Sequence, residues 1–306
     1  MSALVYSISA YDYFARELAS HLDAQLGRVE RKRFPDGEHY LRIEDDVNDR
    51  DVLLVGGTID DAATLELYDL ACAAVEYGAR MLALVVPWFG YSTMERAVLH
   101  GEAVIAKTRA RLISSIPRPK LGSEVLMLDL HSEGIPHYFE GTIRPFHVYA
   151  KPLIEELARA FAGHDFVLGA TDAGRAKWVE SLANDLHVQP AFVYKRRLSG
   201  ESTEVTAISR QLGGETVVIY DDMIRTGGSL MNAARAYRDA GAGKIYAIAT
   251  HGVFPGDSLQ RIAASKLFAG IACTDSHPHA RALAGPDLVV RPAAPLFVPL
   301  LSRRSA

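Results

Sequence analysis

Short runs of apolar, mainly β-branched residues alternate along this chain with stretches whose apolar positions recur at helical spacing. Strands are expected at 4–8, 51–55, 81–86, 125–130, 166–169, 191–194, 216–220, 244–249 and 267–272. Between them, residues 64–77 show a helical period and meet Gly78, a good C-terminal stop. Pro152 opens a second helix that ends near Gly163, and 228–240 supplies a third. Strand and helix patterns in this alternation build mainly parallel sheets flanked by helices, so the expected class is α/β with two βαβ sets. Regular patterning is weakest over 143–149, which places a boundary near residue 147 and gives domains 1–147 and 148–306.

Length supports that division, because 306 residues exceed the size at which one hydrophobic core stops growing. A composition of 49% hydrophobic and 23% charged residues is that of an ordinary globular protein, with no fibrous or disordered bias. The net charge of -4 argues against general nucleic-acid or membrane-surface binding. Cys72 and Cys273 lie in apolar segments without CxxC spacing, which argues against a disulfide framework or zinc site and predicts buried thiols. The N-terminus has no basic region before its apolar run, and no stretch is long enough to span a membrane, so a cytoplasmic location is expected.

The most informative segment is 216–230, TVVIYDDMIRTGGSL. A buried strand carries Asp221 and Asp222 at its carboxyl end, where open α/β sheets bind ligands. Gly227, Gly228 and Ser229 then open a helix, whose unpaired amides and dipole form an anion site, with hydroxyls from Thr226 and Ser229. The two carboxylates can accept hydrogen bonds from adjacent ribose hydroxyls or help hold a metal. A strand-to-helix turn with a capping aspartate is the plainer alternative, but it requires neither the second carboxylate nor the small residues. The segment resembles the loop that binds phosphoribosyl diphosphate (PRPP) in type I phosphoribosyltransferases and PRPP synthases.

Four other segments favour the synthases. Phe34, Asp36 and Glu38 in FPDGE form a polar turn that alone reads as a hairpin, yet resembles the family element that reaches the adenine of a nucleotide on a neighbouring subunit. Asp129 and His131 close a strand in VLMLDLHSEGIPHYF, similar to the family element whose histidine contacts the magnesium nucleotide. Asp172 in ATDAG reads either as a helix cap or, by resemblance, as the carboxylate of the metal and ribose site. Lys195 and Arg197 in YKRRLSGESTEVTAISRQLGGE match the family's flexible catalytic arm. With the closing elements YAIATHGVFPG and Thr274-Asp275, the likeness runs from about residue 33 to residue 276.

The resemblance to ribose-phosphate diphosphokinases implies two phosphoribosyltransferase-like domains and transfer of a diphosphoryl group from ATP to the C1 hydroxyl of ribose 5-phosphate. It implies Lys195 and Arg197 as catalytic cations, and Phe34, Asp36, Glu38, Arg96 and His131 as ATP contacts. His131 and Asp172 would place Mg2+; Asp221, Asp222, Arg225, Thr226, Gly227, Gly228 and Ser229 would hold the ribose phosphate. Family members assemble as dimers and hexamers, so self-association is expected, with the last residues packing on the N-terminal domain.

The chain also departs from the pattern. After Pro87–Tyr91 the family usually reads ARQDRK, where this chain reads STMERA: Thr93 replaces an arginine, Met94 a glutamine, and Arg96 keeps its match. Arg225 stands where the synthases carry aspartate, Arg175 replaces a glycine and Trp178 an arginine. An added cation suits an acceptor with more charge, such as ADP-ribose. A catalytically silent regulatory homologue is the other alternative, against which the retained cations and carboxylates weigh.

Overall fold

Two sheets of identical strand order carry the architecture. The structure, a computed structural model, describes residues 3–302 apart from 173, 175, 200 and 201, and describes only the backbone over 195–207. Its contacts divide the chain between Tyr149 and Ala150, with the segment from Ala293 onward grouped with the first unit rather than the second.

The first unit contains β1 (Leu4–Ser7), α1 (Asp12–Leu22), β2 (Gln25–Leu26), β3 (Val29–Arg33), β4 (His39–Ile43), β5 (Asp51–Val55), α2 (Asp61–Glu76), β6 (Met81–Val86), α3 (Ile105–Ser114), β7 (Ser123–Leu128) and β8 (Arg144–Val148). Strands pair in the order β2-β1-β5-β6-β7-β8, all parallel, while β3 and β4 form an antiparallel hairpin of their own. Strands β1, β6 and β7 are almost wholly buried, as parallel strands covered on both faces must be. Helix α1 turns Phe14, Ala15, Leu18 and Ala19 inward at a spacing of three to four residues, the period of one helical face. The weakly patterned stretch 143–149 is a strand after all: β8 pairs parallel with β7, and as an edge strand it is buried only at Val148.

The second unit contains α4 (Lys151–Ala162), β9 (Val167–Ala170), α5 (Ala176–Leu186), β10 (Gln189–Ala191), β11 (Val193–Ser199), β12 (Ser202–Ile208), β13 (Val217–Ile224), α6 (Gly228–Asp239), β14 (Ile245–Gly252), α7 (Ser258–Ala264), β15 (Gly270–Thr274), α8 (Pro278–Ala282) and β16 (Val289–Arg291). Its sheet runs β10-β9-β13-β14-β15-β16, again all parallel, with β11 and β12 as a separate antiparallel hairpin. Ile219, Ala247 and Ala249 pack with Leu230, Ala234 and Tyr237 in the core between β13, β14 and α6. The closing helix α9 (Val298–Ser302) belongs to the first unit, where the ring of Phe297 just before it meets Phe14 edge-on at 5.8 Å. Cys273 is buried and Cys72 half-buried, both free. No helix among the described residues is long and apolar enough to cross a membrane.

Candidate functional site

In the second unit β9 and β13 are neighbours, and the chain leaves β9 toward one edge of the sheet and β13 toward the other. Such a switch in strand order opens a crevice at the carboxyl ends of the two strands. The register pairs Tyr220 with Ala170, so Thr171 and Asp172 on one side face Asp221 and Asp222 on the other. Thr171 Oγ1 donates to Asp221 Oδ2 at 2.9 Å, and the Asp222 amide donates to Asp221 Oδ1 at 2.9 Å. Asp222 is buried and Asp221 half-buried, so the acidic pair is held in place rather than free in solvent. The strand continues to Ile224, further than its apolar run suggests, and both aspartates lie within it. Asp172 is half-buried, and its Oδ1 accepts from the Gly174 amide at 2.8 Å.

Past the strand, Arg225 and Thr226 are exposed and Gly227 is buried. Gly227 has φ +78°, and a Cβ there would lie 2.4 Å from Ile262 Cδ1, so both conformation and space call for glycine. No side chain among the described residues caps α6. The first-turn amides, with exposed Gly228 and Ser229, are therefore open to an anion at the positive end of a twelve-residue helix. Arg225, two residues before Gly227, makes no ion pair among the described residues.

Lys195 and Arg197 fall in β11, opposite Val205 and Thr203 of β12. Their side chains lie outside the described residues, as does Arg175.

In the first unit, the loops after β6 and β7 meet. Gly90 donates to Thr58 Oγ1 at 2.7 Å, and a Cβ on it would collide with Thr58 O, which fixes the turn. Asp129 follows β7 with φ +33°, a strained conformation for a non-glycine residue, and is buried. Leu130 N donates to His147 Nε2 at 2.9 Å, and His131 beyond it is exposed. Tyr138 Oη donates to Glu95 O at 2.6 Å, tying the loop of His131 to that of Arg96. Sequence reasoning gave Tyr138 and Thr171 no role; a hydroxyl just before Asp172 was the one available signal for Thr171. Phe34, Asp36 and Glu38 form the tip of the β3–β4 hairpin, with Phe34 46% exposed and Asp36 Oδ1 accepting from Glu38 N at 3.1 Å.

His131 and Asp172, expected to share a metal, belong to different units. Among the described residues no three His, Cys, Asp or Glu side chains converge as a metal site. Magnesium keeps several waters and uses one or two carboxylates with substrate phosphates, so the hard oxygen donors of Asp172 fit it, and the imidazole of His131 fits less well.

The model of the N-terminal domain of ribose phosphate pyrophosphokinase matches residues 3–116, and that of the phosphoribosyl synthetase-associated domain matches 183–285. The chain is 33% identical to a ribose-phosphate pyrophosphokinase of Synechococcus elongatus, over 96% of this chain and 88% of that protein. It is 35% identical to one of Methanopyrus kandleri, over 86% and 89%. The chain belongs to the ribose-phosphate pyrophosphokinase family. The crystal structure of phosphoribosylpyrophosphate synthetase from Mycobacterium smegmatis has the same fold, with a TM-score of 0.85 at 23% identity over 100% of this chain and 99% of that one.

Trp178 is half-buried at the start of α5, and its indole stacks on the buried Tyr220 ring with centroids 4.0 Å apart. Where the resemblance leads one to expect an arginine, the chain thus places a ring packed on Tyr220. Thr93 and Met94 are exposed on the β6 loop next to Glu95 and Arg96.

Proposed function

We infer that the chain transfers the diphosphoryl group of ATP to the C1 hydroxyl of ribose 5-phosphate, giving 5-phosphoribosyl 1-diphosphate and AMP. The observation that carries this reading is the uncapped phosphate helix directly after paired carboxylates at the sheet's switch point. In the reaction the C1 hydroxyl oxygen bonds to the β-phosphorus and gives up its proton to solvent, the bond from that phosphorus to the oxygen bridging α and β breaks, and AMP departs with that oxygen. Asp221 and Asp222, as acceptors, take hydrogen bonds from the two ribose hydroxyls and orient the sugar. Thr226, Gly227, Gly228 and Ser229 hold the 5-phosphate through amides and hydroxyls, with Arg225 adding positive charge.

Lys195 and Arg197 neutralise the transferring group, where charge accumulates as the transition state forms. Asp172 would hold Mg2+ through its hard oxygens and His131 would contact the magnesium nucleotide, and the ion would supply positive charge to the phosphates. Phe34, Asp36, Glu38 and Arg96 take the nucleotide; the exposed aromatic at a hairpin tip supports a site completed by self-association in a dimer or hexamer. Substrates are ATP and ribose 5-phosphate, with no nucleic acid or membrane partner, and the location is cytoplasmic.

The Trp178–Tyr220 stack and an exposed Arg225 without an ion pair among the described residues favour a second reading, a diphosphokinase for a larger acceptor such as ADP-ribose. One assay separates them: purified protein with Mg2+, ATP and either ribose 5-phosphate or ADP-ribose, with AMP followed over time. AMP with ribose 5-phosphate supports the first reading. AMP only with ADP-ribose supports the second, and none with either sinks both.

A further inference from the structure

Tyr237 lies on the inner face of α6, fully buried, ten residues past the glycine that opens the phosphate helix. Its hydroxyl accepts from the Ala170 amide at 3.1 Å and stands 2.8 Å from Ala191 O and 3.0 Å from Ala170 O, with one hydrogen to donate to them. Pairing of β9 with β10 ends at the Gly169–Ala191 register pair. The phenol therefore bridges the two strands just where their own ladder stops. Room for it comes from Gly169, where a Cβ would approach the tyrosine ring to 2.9 Å.

The three anchored segments lead to different parts of the candidate site. Ala170 is followed by Thr171 and Asp172, and Ala191 precedes by two residues the start of β11, the strand of Lys195 and Arg197. Tyr237 itself rides on the helix that presents Gly228 and Ser229. Packing alone does not require the oxygen, since phenylalanine fills nearly the same volume and a buried hydroxyl is costly unless satisfied. Burial pushes the phenol above its ordinary pKa, so it stays protonated and able to donate.

We propose that Tyr237 is a positioning residue: its hydroxyl fixes the Asp172 turn and the root of the β11–β12 hairpin against the phosphate helix. The inference rests on the diphosphoryl-transfer reading. When the sugar phosphate sits on α6, the Asp172 turn and the start of β11 are then already fixed relative to it. Loss of this link misplaces the groups that act on the transferring phosphorus while the phosphate amides remain, so turnover suffers more than substrate binding.

The test is Tyr237→Phe in the full chain. We expect turnover about tenfold lower, KM for ribose 5-phosphate within about twofold of wild type, and at least about tenfold faster hydrogen exchange of the Ala170 amide. Gly169→Ala, which displaces the ring, is expected to lower turnover similarly, and the double variant is expected to lose no more than either single one. A lower unfolding temperature with unchanged turnover per folded molecule overturns the inference, as do additive losses in the double variant. A wild-type protein that releases no AMP from ATP and ribose 5-phosphate sinks the reaction itself. Exchange at Ala170 then decides the clamp alone: faster exchange in Tyr237→Phe upholds it, and unchanged exchange refutes it.

Discussion

The helix that follows the switch-point strand begins differently in the two units. In the first, α2 starts at Asp60, whose carboxylate accepts from the Ala63 amide at 2.7 Å, so an orphan donor of the first turn is satisfied from within. In the second, α6 starts at a left-handed Gly227 with no side-chain cap, and its amides stay open. The hairpin of the first unit satisfies itself in the same way. Both hairpins begin with similar strands, VERKR at Val29–Arg33 and VYKRR at 193–197. Arg31 Nε donates to Glu66 of α2 at 2.7 Å, and Glu66 also accepts from Ser9 N at 3.0 Å. A protein carboxylate thus occupies the role a bound anion would have in that crevice, which keeps a volume of about 450 Å³ beside Arg31, Asp60 and Glu66. The first turn of α6, Gly228-Ser229-Leu230, carries no carboxylate. One topology makes two crevices. The unit that pairs Arg31 with Glu66 and caps its own helix has less to offer a phosphate than the one whose first-turn helix amides stay open.

Exchanging features between the units should break this contrast. The largest effect is expected from the hairpin cations: Lys195→Ala should lower turnover at least about a hundredfold with an unchanged unfolding temperature, on the scale of losing one transition-state contact. Arg31→Ala in the other hairpin should leave turnover within about twofold and cost about 1–2 kcal/mol of stability, read by urea unfolding. Equal losses of activity in both variants would show that the hairpins do not differ as described. The helix caps come next. Gly227→Asp gives α6 the carboxylate that α2 has, and KM for ribose 5-phosphate should rise about a hundredfold, against about tenfold for Gly227→Ala, which brings the steric clash without charge. Steady-state kinetics in ribose 5-phosphate reads both, and equal rises would leave the clash as the whole cause.

The smallest expected effect concerns stability in the second unit. His277 is mostly buried at the start of α8, where its Nδ1 accepts from His279 N at 3.2 Å. Burial, and then the nearby His251 and His279, push its pKa down to about 4 from 6.5. Below pH 6.5 the unfolded chain binds a proton that the native state refuses, so the stability from neutral His277 is full above pH 6.5 and falls as pH drops toward 4. At pH 5 the loss is about 2 kcal/mol relative to pH 7.5. His277→Asn, which retains a cap acceptor, should flatten that slope in denaturant unfolding at the two pH values; an identical slope would remove His277 as its source.

Where a function depends on neighbours in the chain, the residues alone reveal it. Asp221, Asp222 and the Thr226–Ser229 turn lie within nine positions, and strand, turn and helix start are local structures that these residue types specify by themselves. The hairpin around FPDGE was legible for the same reason, with Gly37 at φ +98° as its turn demands. The edge strand β8 was not legible: an edge position buries little, and its pairing with β7 depends on a partner some twenty residues away. Likewise no local signal joins Thr171 to Asp221, Tyr138 to Glu95 or Tyr237 to Ala170 and Ala191.

The order of residues thus determined the class of fold, the phosphate turn and which cations and carboxylates are present. Tertiary structure alone decided which of two like crevices is left open and which hydroxyls hold the strand ends together. The physical reason is that a turn or a helix start draws its free energy from adjacent residues, whereas a cap that is missing, or a cation already paired, acquires meaning only once distant segments have been brought within hydrogen-bond reach.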